Sequence, residues 1–221
     1  MRPLIRGAII EGPGTSGKTS VLRALKSVQA VAEDDERSVV ILGEHYSQQL
    51  QTIQGRLTEL TRTQHEELLA QRVEAIESLS DWALYLGKAS RRARGLFYVF
   101  ERFNLNHRIA YPGEDRVFID TLERRLAELG AICFLLTVSQ DKIEERFRHR
   151  SEQSGQDLQS HDLRVQVESY IARQDEMLGL ADEAQVPTTV INTDDRDWNS
   201  YAATILKATE TRVAEEAKWP D

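Results

Sequence analysis

The sequence holds a single cysteine, Cys133, in 221 residues. One thiol cannot close an intramolecular disulfide or supply the cysteine sets of structural zinc and iron–sulfur centres. A chain without either support suits a reducing compartment, so the sequence predicts a cytoplasmic protein. Proline (5) and glycine (12) are scarce, which excludes collagenous and low-complexity architectures. Long apolar runs are missing as well: none approaches the roughly 20 residues that cross a bilayer. Met1 to Arg6 carries two charges ahead of a short apolar stretch, with no small-residue cleavage site, and reads as the start of a strand rather than a signal peptide. Positive charge is in deficit, with 28 Lys plus Arg against 36 Asp plus Glu and a formal net charge of -8. Such a surface repels nucleic acid and anionic lipid, so neither a nucleic-acid nor a membrane partner is expected. The five histidines (His45, His65, His107, His149, His161) lack metal-ligand spacing and read as surface or pocket residues.

What the chain does contain is alternation of two patterns. Leu4 to Ile10, Val39 to Leu42, Leu96 to Phe100, Ala131 to Val138 and Thr188 to Ile191 are short, nearly continuous apolar runs. Strands covered on both faces read this way, and five of them separated by helical patterns predict an α/β protein with a five-stranded parallel sheet in a three-layer α/β/α arrangement. Residues 1–221 fit one domain. Between the second and third runs the sequence predicts one long helical region, Gln48 to Arg94, with Leu68, Leu69, Val73, Ile76, Leu79, Trp82 and Leu86 on one side. Thr121 to Leu129 reads as a short helix, Ser139 as the cap of the next, and Ser151 to His161 as a mobile polar loop.

Directly after the first run comes Gly12-Pro13-Gly14-Thr15-Ser16-Gly17-Lys18-Thr19, two glycines at the required separation followed by Lys and Thr. A glycine-rich turn between a strand and a helix lets backbone N–H groups curl around an anion. The helix N-terminus adds its positive dipole end. ATP is therefore expected along Gly12, Gly14, Thr15, Ser16, Gly17, Lys18, Thr19 and Ser20, with Lys18 reaching the β and γ phosphates and Thr19 on Mg²⁺. No guanine-specific Asn-Lys-x-Asp motif occurs. The third run ends in Phe100-Glu101-Arg102-Phe103, which points away from motor ATPases and toward kinases.

On these residues the chain resembles the P-loop nucleoside and nucleotide kinases, in the branch of thymidylate kinase and the deoxynucleoside kinases. Gly43-Glu44-His45 stands where both subfamilies place a Glu, and Glu101-Arg102 where they place Asp-Arg or Glu-Arg. Glu145-Arg146-Phe147-Arg148-His149-Arg150 is similar to their arginine-bearing lid. The resemblance implies a P-loop kinase fold with a helical lid over about 142–161 and an acceptor-binding region over about 44–95. It implies catalytic roles for Lys18, Glu44, Glu101, Arg102 and one or two of Arg146, Arg148 and Arg150. Thr19 and Glu101 would hold the metal. Glu44, Arg72, Arg102 and Arg108 would hold the acceptor, with Tyr46, Phe103 and Tyr111 as the aromatics able to stack a base.

The acceptor stays open at this stage. A monophosphate needs extra cations and no strong base, whereas a neutral hydroxyl needs a carboxylate such as Glu44 to orient or deprotonate it. The expected activity is γ-phosphate transfer from ATP to a nucleoside monophosphate. A deoxynucleoside, a non-nucleoside alcohol such as an antibiotic, an ATP-holding regulatory module and a nucleic-acid end kinase are the rivals. A homodimer is among the assemblies left open. Trp198 suggests nothing beyond packing, and Cys133 reads as inert core.

Overall fold

The computed structural model describes residues 5–31, 38–44, 50–53, 56–89, 95–113, 116–155 and 160–216. Five strands form one sheet: β1 (Ile5–Glu11), β2 (Ser38–Leu42), β5 (Leu96–Glu101), β6 (Ala131–Thr137) and β7 (Thr188–Asn192). Their order is β2-β5-β1-β6-β7 and every pairing is parallel. The three inner strands are buried almost throughout, which is why they read as continuous apolar runs. The chain leaves β1 toward one side of the sheet and later crosses to the other. The crevice beyond the C-terminal end of such a central strand is where parallel α/β sheets bind ligands.

Helices cover both faces. On one, α1 (Lys18–Val31) and α7 (Trp198–Glu216) pack Val21, Leu22, Leu25, Ala202 and Ile205 against Ile10, Val99 and Phe134. On the other, α2 (Arg62–Ala89), α4 (Val117–Glu128) and α6 (Ser160–Glu183) bury Leu69, Val73, Ile76, Leu122, Leu126 and Met177 against Ile9, Phe100 and Leu135. The short α3 (Asn104–Ala110) follows β5, and α5 (Gln140–Ser154) follows β6. Cys133 lies wholly buried in β6, and burial raises its thiol pKa well above the ordinary value. No helix of the described residues is long and apolar enough to cross a membrane.

Several local expectations are corrected. The helical region does not begin at Gln48: Leu50–Ile53 (β3) and Arg56–Glu59 (β4) pair as an antiparallel two-stranded sheet before α2 starts. The β-branched Thr52, Ile53 and Thr58 around Gly55 are the signal for it. The helix expected at Thr121 starts four residues earlier, at Val117. Ser139 does occupy the N-cap position of α5 but makes no capping bond. Its hydroxyl accepts from Asn192 Nδ2 at 3.0 Å, while its N–H is tied to Asp194. Ser151 to Ser154 belong to α5, which ends on Gly155 in the left-handed region, and α6 begins at Ser160. Residues 156–159 of the expected loop lie outside the described residues. His65 and His107 are a buried stacked pair, their Nδ1 atoms 2.9 Å apart, rather than surface groups.

Candidate active site

The loop after β1 is shaped by positive-φ residues: Gly12 (143°), Thr15 (66°) and Gly17 (99°). At Gly17 two constraints coincide. A Cβ there would sit 2.4 Å from a ring carbon of Trp198, so only glycine fits both the backbone and its neighbour. Across the sheet Thr193 ties the loop down, its hydroxyl donating to Ser16 O at 2.9 Å. Lys18 opens α1 and folds back over the loop, Nζ donating to Gly12 O at 2.8 Å and Pro13 O at 2.7 Å. Burial, reinforced by the positive charge of Arg102, brings its pKa down to about 7.

In front of Lys18 lies a cleft of about 520 Å³. Six cations line it: Lys18, Arg23, Arg102, Arg146, Arg150 and Arg196, opposed by Glu44 and Glu101. β5 positions two of these groups at the end of the sheet. Glu101 is buried, its Oε2 accepting from Glu44 N–H at 3.1 Å. Arg102 stands in the left-handed region (φ 59°), a conformation a non-glycine side chain adopts at a cost. There it ion-pairs with Glu44 at 2.8 Å and donates from Nη1 to Asn106 Oδ1 at 3.3 Å. The two carboxylates thus meet through the Glu44 backbone, and Glu44 faces the cleft.

Helix α5 sorts its three arginines by face. Arg146 is buried, donates to the Thr193 carbonyl and has its guanidinium 5.7 Å from the Trp198 ring centre. Arg150 reaches the cleft beside the loop, Nη1 3.8 Å from where a Gly14 Cβ would be. Arg148 does not line this cleft; it is exposed and paired with Glu144 one turn back. An α-helix turns about 100° per residue, so positions two apart diverge while 146 and 150 share a face.

The acceptor-side assignments are redistributed. Arg72 is 4% exposed on α2, donates from Nη1 to Arg102 O at 3.0 Å and lies over the Phe100 ring at 4.2 Å. Burial lowers its pKa to about 9. Phe103 is wholly buried between Phe100 and Arg72, so it is core rather than a base-stacking surface. Tyr111 donates to Leu60 O at 2.6 Å and lines a separate cavity of about 120 Å³ with Arg62 and His107. Tyr46 lies outside the described residues.

Arg108 is corrected most strongly. Its Nε donates to Glu123 at 3.0 Å, and Nη2 is shared between Glu123 and Asp120. Glu123 is 0% exposed, so the pair is a structural tie from α3 to α4. Arg108→Leu should leave the Glu123 carboxylate buried with no counter-charge, costing on the order of 3 kcal/mol. Thermal denaturation should show a fall of roughly 10 °C in Tm, with the KM of any acceptor unchanged in the folded protein.

Sequence reasoning missed Arg23, Arg196, Trp198 and Glu11 as parts of the site. Glu11 is fully buried at the end of β1, its Oε1 accepting from Phe103 N–H at 2.7 Å and Asn106 N–H at 3.3 Å. Burial raises its pKa against the pull of those N–H groups, Arg102 and Lys18. Its position immediately before the first loop glycine was the available signal.

The residues present suit a magnesium-bound nucleoside triphosphate. The loop supplies curled backbone and a buried ammonium, and the cleft carries six cations and two carboxylates, with the Thr19 hydroxyl as a hard oxygen donor beside them.

No protein-family model matches the chain, and neither does the sequence of any curated protein. Among solved structures, the YorR protein of Bacillus subtilis, in complex with phosphorylated GDP, superposes with a TM-score of 0.58 at 12% identity, over 92% of this chain and 95% of its own. Polyphosphate Kinase 2 from Arthrobacter aurescens superposes with a TM-score of 0.59 at 14% identity, over 100% of this chain and 72% of its own. The thymidylate kinase of Ehrlichia chaffeensis reaches 0.47 at 17% identity, over 91% and 98%. The fold is the three-layer P-loop kinase fold.

Proposed function

We propose that this chain, with its P-loop kinase fold, is a small-molecule kinase that transfers the γ-phosphate of ATP to a phosphate-bearing acceptor of the nucleoside monophosphate class. The single observation that carries this reading is the cleft itself: five arginines around Lys18, set against two carboxylates at the ends of β5 and β2. Phosphoryl transfer demands neutralised oxygens, an aligned acceptor and excluded water rather than covalent chemistry from the protein. Lys18 bridges the β and γ phosphates once it leaves the Gly12 and Pro13 carbonyls. Thr19 and Glu101 would hold Mg²⁺, which would supply neutralising charge to phosphate oxygens. Arg150 faces the phosphate loop from α5 and stabilises charge on the transferring group, while Arg146, beside Trp198, holds the nucleotide at the other end of the cleft. Arg102 and Arg72 receive the acceptor's phosphate, which shares the Arg102 guanidinium with Glu44. The C-terminal half of α5, from Arg146 to Ser154, closes over the phosphates as a lid.

The direct test is a screen for ADP release across nucleosides, nucleoside monophosphates and hydroxylated antibiotics, with turnover of a monophosphate as the expected result. Turnover of hydroxyl acceptors alone would move the assignment to an alcohol kinase. ATP binding with no turnover of any kind would support a regulatory module.

The Lys18 ammonium provides a second test. In the free protein its pKa of about 7 leaves it largely neutral at pH 8. Triphosphate oxygens favour the charged form, so nucleotide binding at pH 8 should take up close to one proton. Calorimetry in buffers of different ionisation enthalpy reads this directly, and uptake should vanish at pH 6, where Lys18 is already charged. For the free protein, the lowered pKa means that the unfolded chain binds more protons between pH 7 and 10.5, so this group's contribution to stability rises with pH across that window.

A further inference from the structure

Beyond the end of β5 three arginines converge: Arg102 directly follows the strand, Arg72 comes from α2 and Arg173 from α6. Arg102 Nη1 and Arg173 Nη2 donate to the same atom, Asn106 Oδ1, at 3.3 and 3.2 Å. Asn106 is 3% exposed, so two guanidinium groups are held side by side at a buried amide. Arg72 adds a third, with Nε and Nη2 making no hydrogen bond among the described residues. Close by, Glu11 Oε2 and both amide atoms of Asn104 are also buried without hydrogen bonds.

Glu44 ion-pairs with Arg102, Glu11 acts on both Arg72 and Arg173, and Glu176 acts on Arg173. Like charges sharing one buried acceptor repel unless an anion joins them. Three planar forks approaching from different elements suit the oxygens of a tetrahedral dianion, each able to take a charge-assisted hydrogen bond.

We infer that Arg173 is a further substrate-binding residue, which completes with Arg72 and Arg102 a three-arginine seat for the phosphate monoester of the acceptor. The inference rests on the reading of the acceptor as a phosphate-bearing molecule. Nothing in the sequence marked Arg173, since Ser169-Tyr170-Ile171-Ala172-Arg173-Gln174 reads as ordinary helix. Arg173 reaches the seat only because α6 packs against α3, the helix that carries Asn106.

The test is titration of inorganic phosphate into the protein saturated with a non-hydrolysable ATP analogue and Mg²⁺, which keeps the phosphate loop filled. Wild-type protein should bind one phosphate. Arg173→Ala should weaken that binding by about ten- to a hundredfold, the usual scale for losing a charge-assisted hydrogen bond. Arg173→Lys, which keeps the charge and loses the fork, should recover part of it. Arg173→Gln keeps the measurement readable if the alanine variant folds poorly. Affinity for the ATP analogue and Tm should stay at wild-type values in all three. Wild-type phosphate affinity in Arg173→Ala and Arg173→Gln overturns the inference, as does a parallel loss of phosphate affinity, analogue affinity and Tm, which marks a structural buttress. Failure of the acceptor reading shows elsewhere, as absence of turnover with every monophosphate while phosphate binding persists.

Discussion

Replacing Lys18 by alanine is expected to lower kcat by roughly a hundred- to a thousandfold or more, the scale of losing a positioned charge at developing phosphate oxygens. Lys18 is 5% exposed and its ammonium bonds two loop carbonyls, so the same change removes two charge-assisted hydrogen bonds. It also removes a cation that burial holds at a disadvantage, with a pKa of about 7. These effects on stability oppose each other, and the variant should stay folded while its chemistry collapses. Steady-state kinetics beside a thermal melt separates the two. Turnover at the wild-type rate in a folded Lys18→Ala protein would sink the kinase reading altogether.

The second large effect belongs to Arg102. Arg102→Ala should raise the acceptor's KM by about ten- to a hundredfold while leaving the KM for ATP near wild type. Glu44→Gln should behave differently. Its carboxylate now occupies the Arg102 guanidinium at 2.8 Å, so an incoming phosphate shares Arg102 with Glu44. Neutralising Glu44 frees that arginine, and with an acceptor that is already ionised no base is lost. Glu44→Gln should therefore change kcat only mildly and leave acceptor KM equal or lower. A strong fall in kcat with little change in KM would instead identify Glu44 as the base or orienter of a neutral hydroxyl. The two variants together decide the acceptor class.

The parallel sheet was legible because its strands are buried on both faces, and continuous apolar runs such as Leu96 to Phe100 leave no ambiguity of period. The turn after β1 was legible because its glycines, Lys18 and Thr19 fall at a fixed spacing within one short segment. The rest depended on packing between distant segments. Phe103 follows Arg102 directly, yet it points into the core while Arg102 turns to the cleft. Arg108 carries the same charge as Arg102 six positions on, and only the approach of α4 with Glu123 makes it structural. Trp198 enters the site because Gly17 leaves a gap that its ring fills. No spacing rule within one element reports such a meeting. The β3–β4 sheet was hidden for a simpler reason: four-residue strands are too short for their alternation to outweigh a helical pattern that follows immediately.

The bond from Thr193 to Ser16 O spans 177 positions, and the Gly17–Trp198 contact spans slightly more. A ribosome therefore releases the loop after β1 long before the residues that support it. While β6, β7 and α7 are still being made, the loop has neither the Thr193 tether nor the indole wall behind Gly17. Its glycines are then free to sample many shapes. Under the proposed function, nucleotide capture waits for segments made long after the loop itself. Long-range closure of this kind also slows folding, since the entropy of a large loop must be lost before its contacts form. ATP in the surrounding solution would then favour the finished fold over every partly assembled form, acting as a ligand that recognises completion.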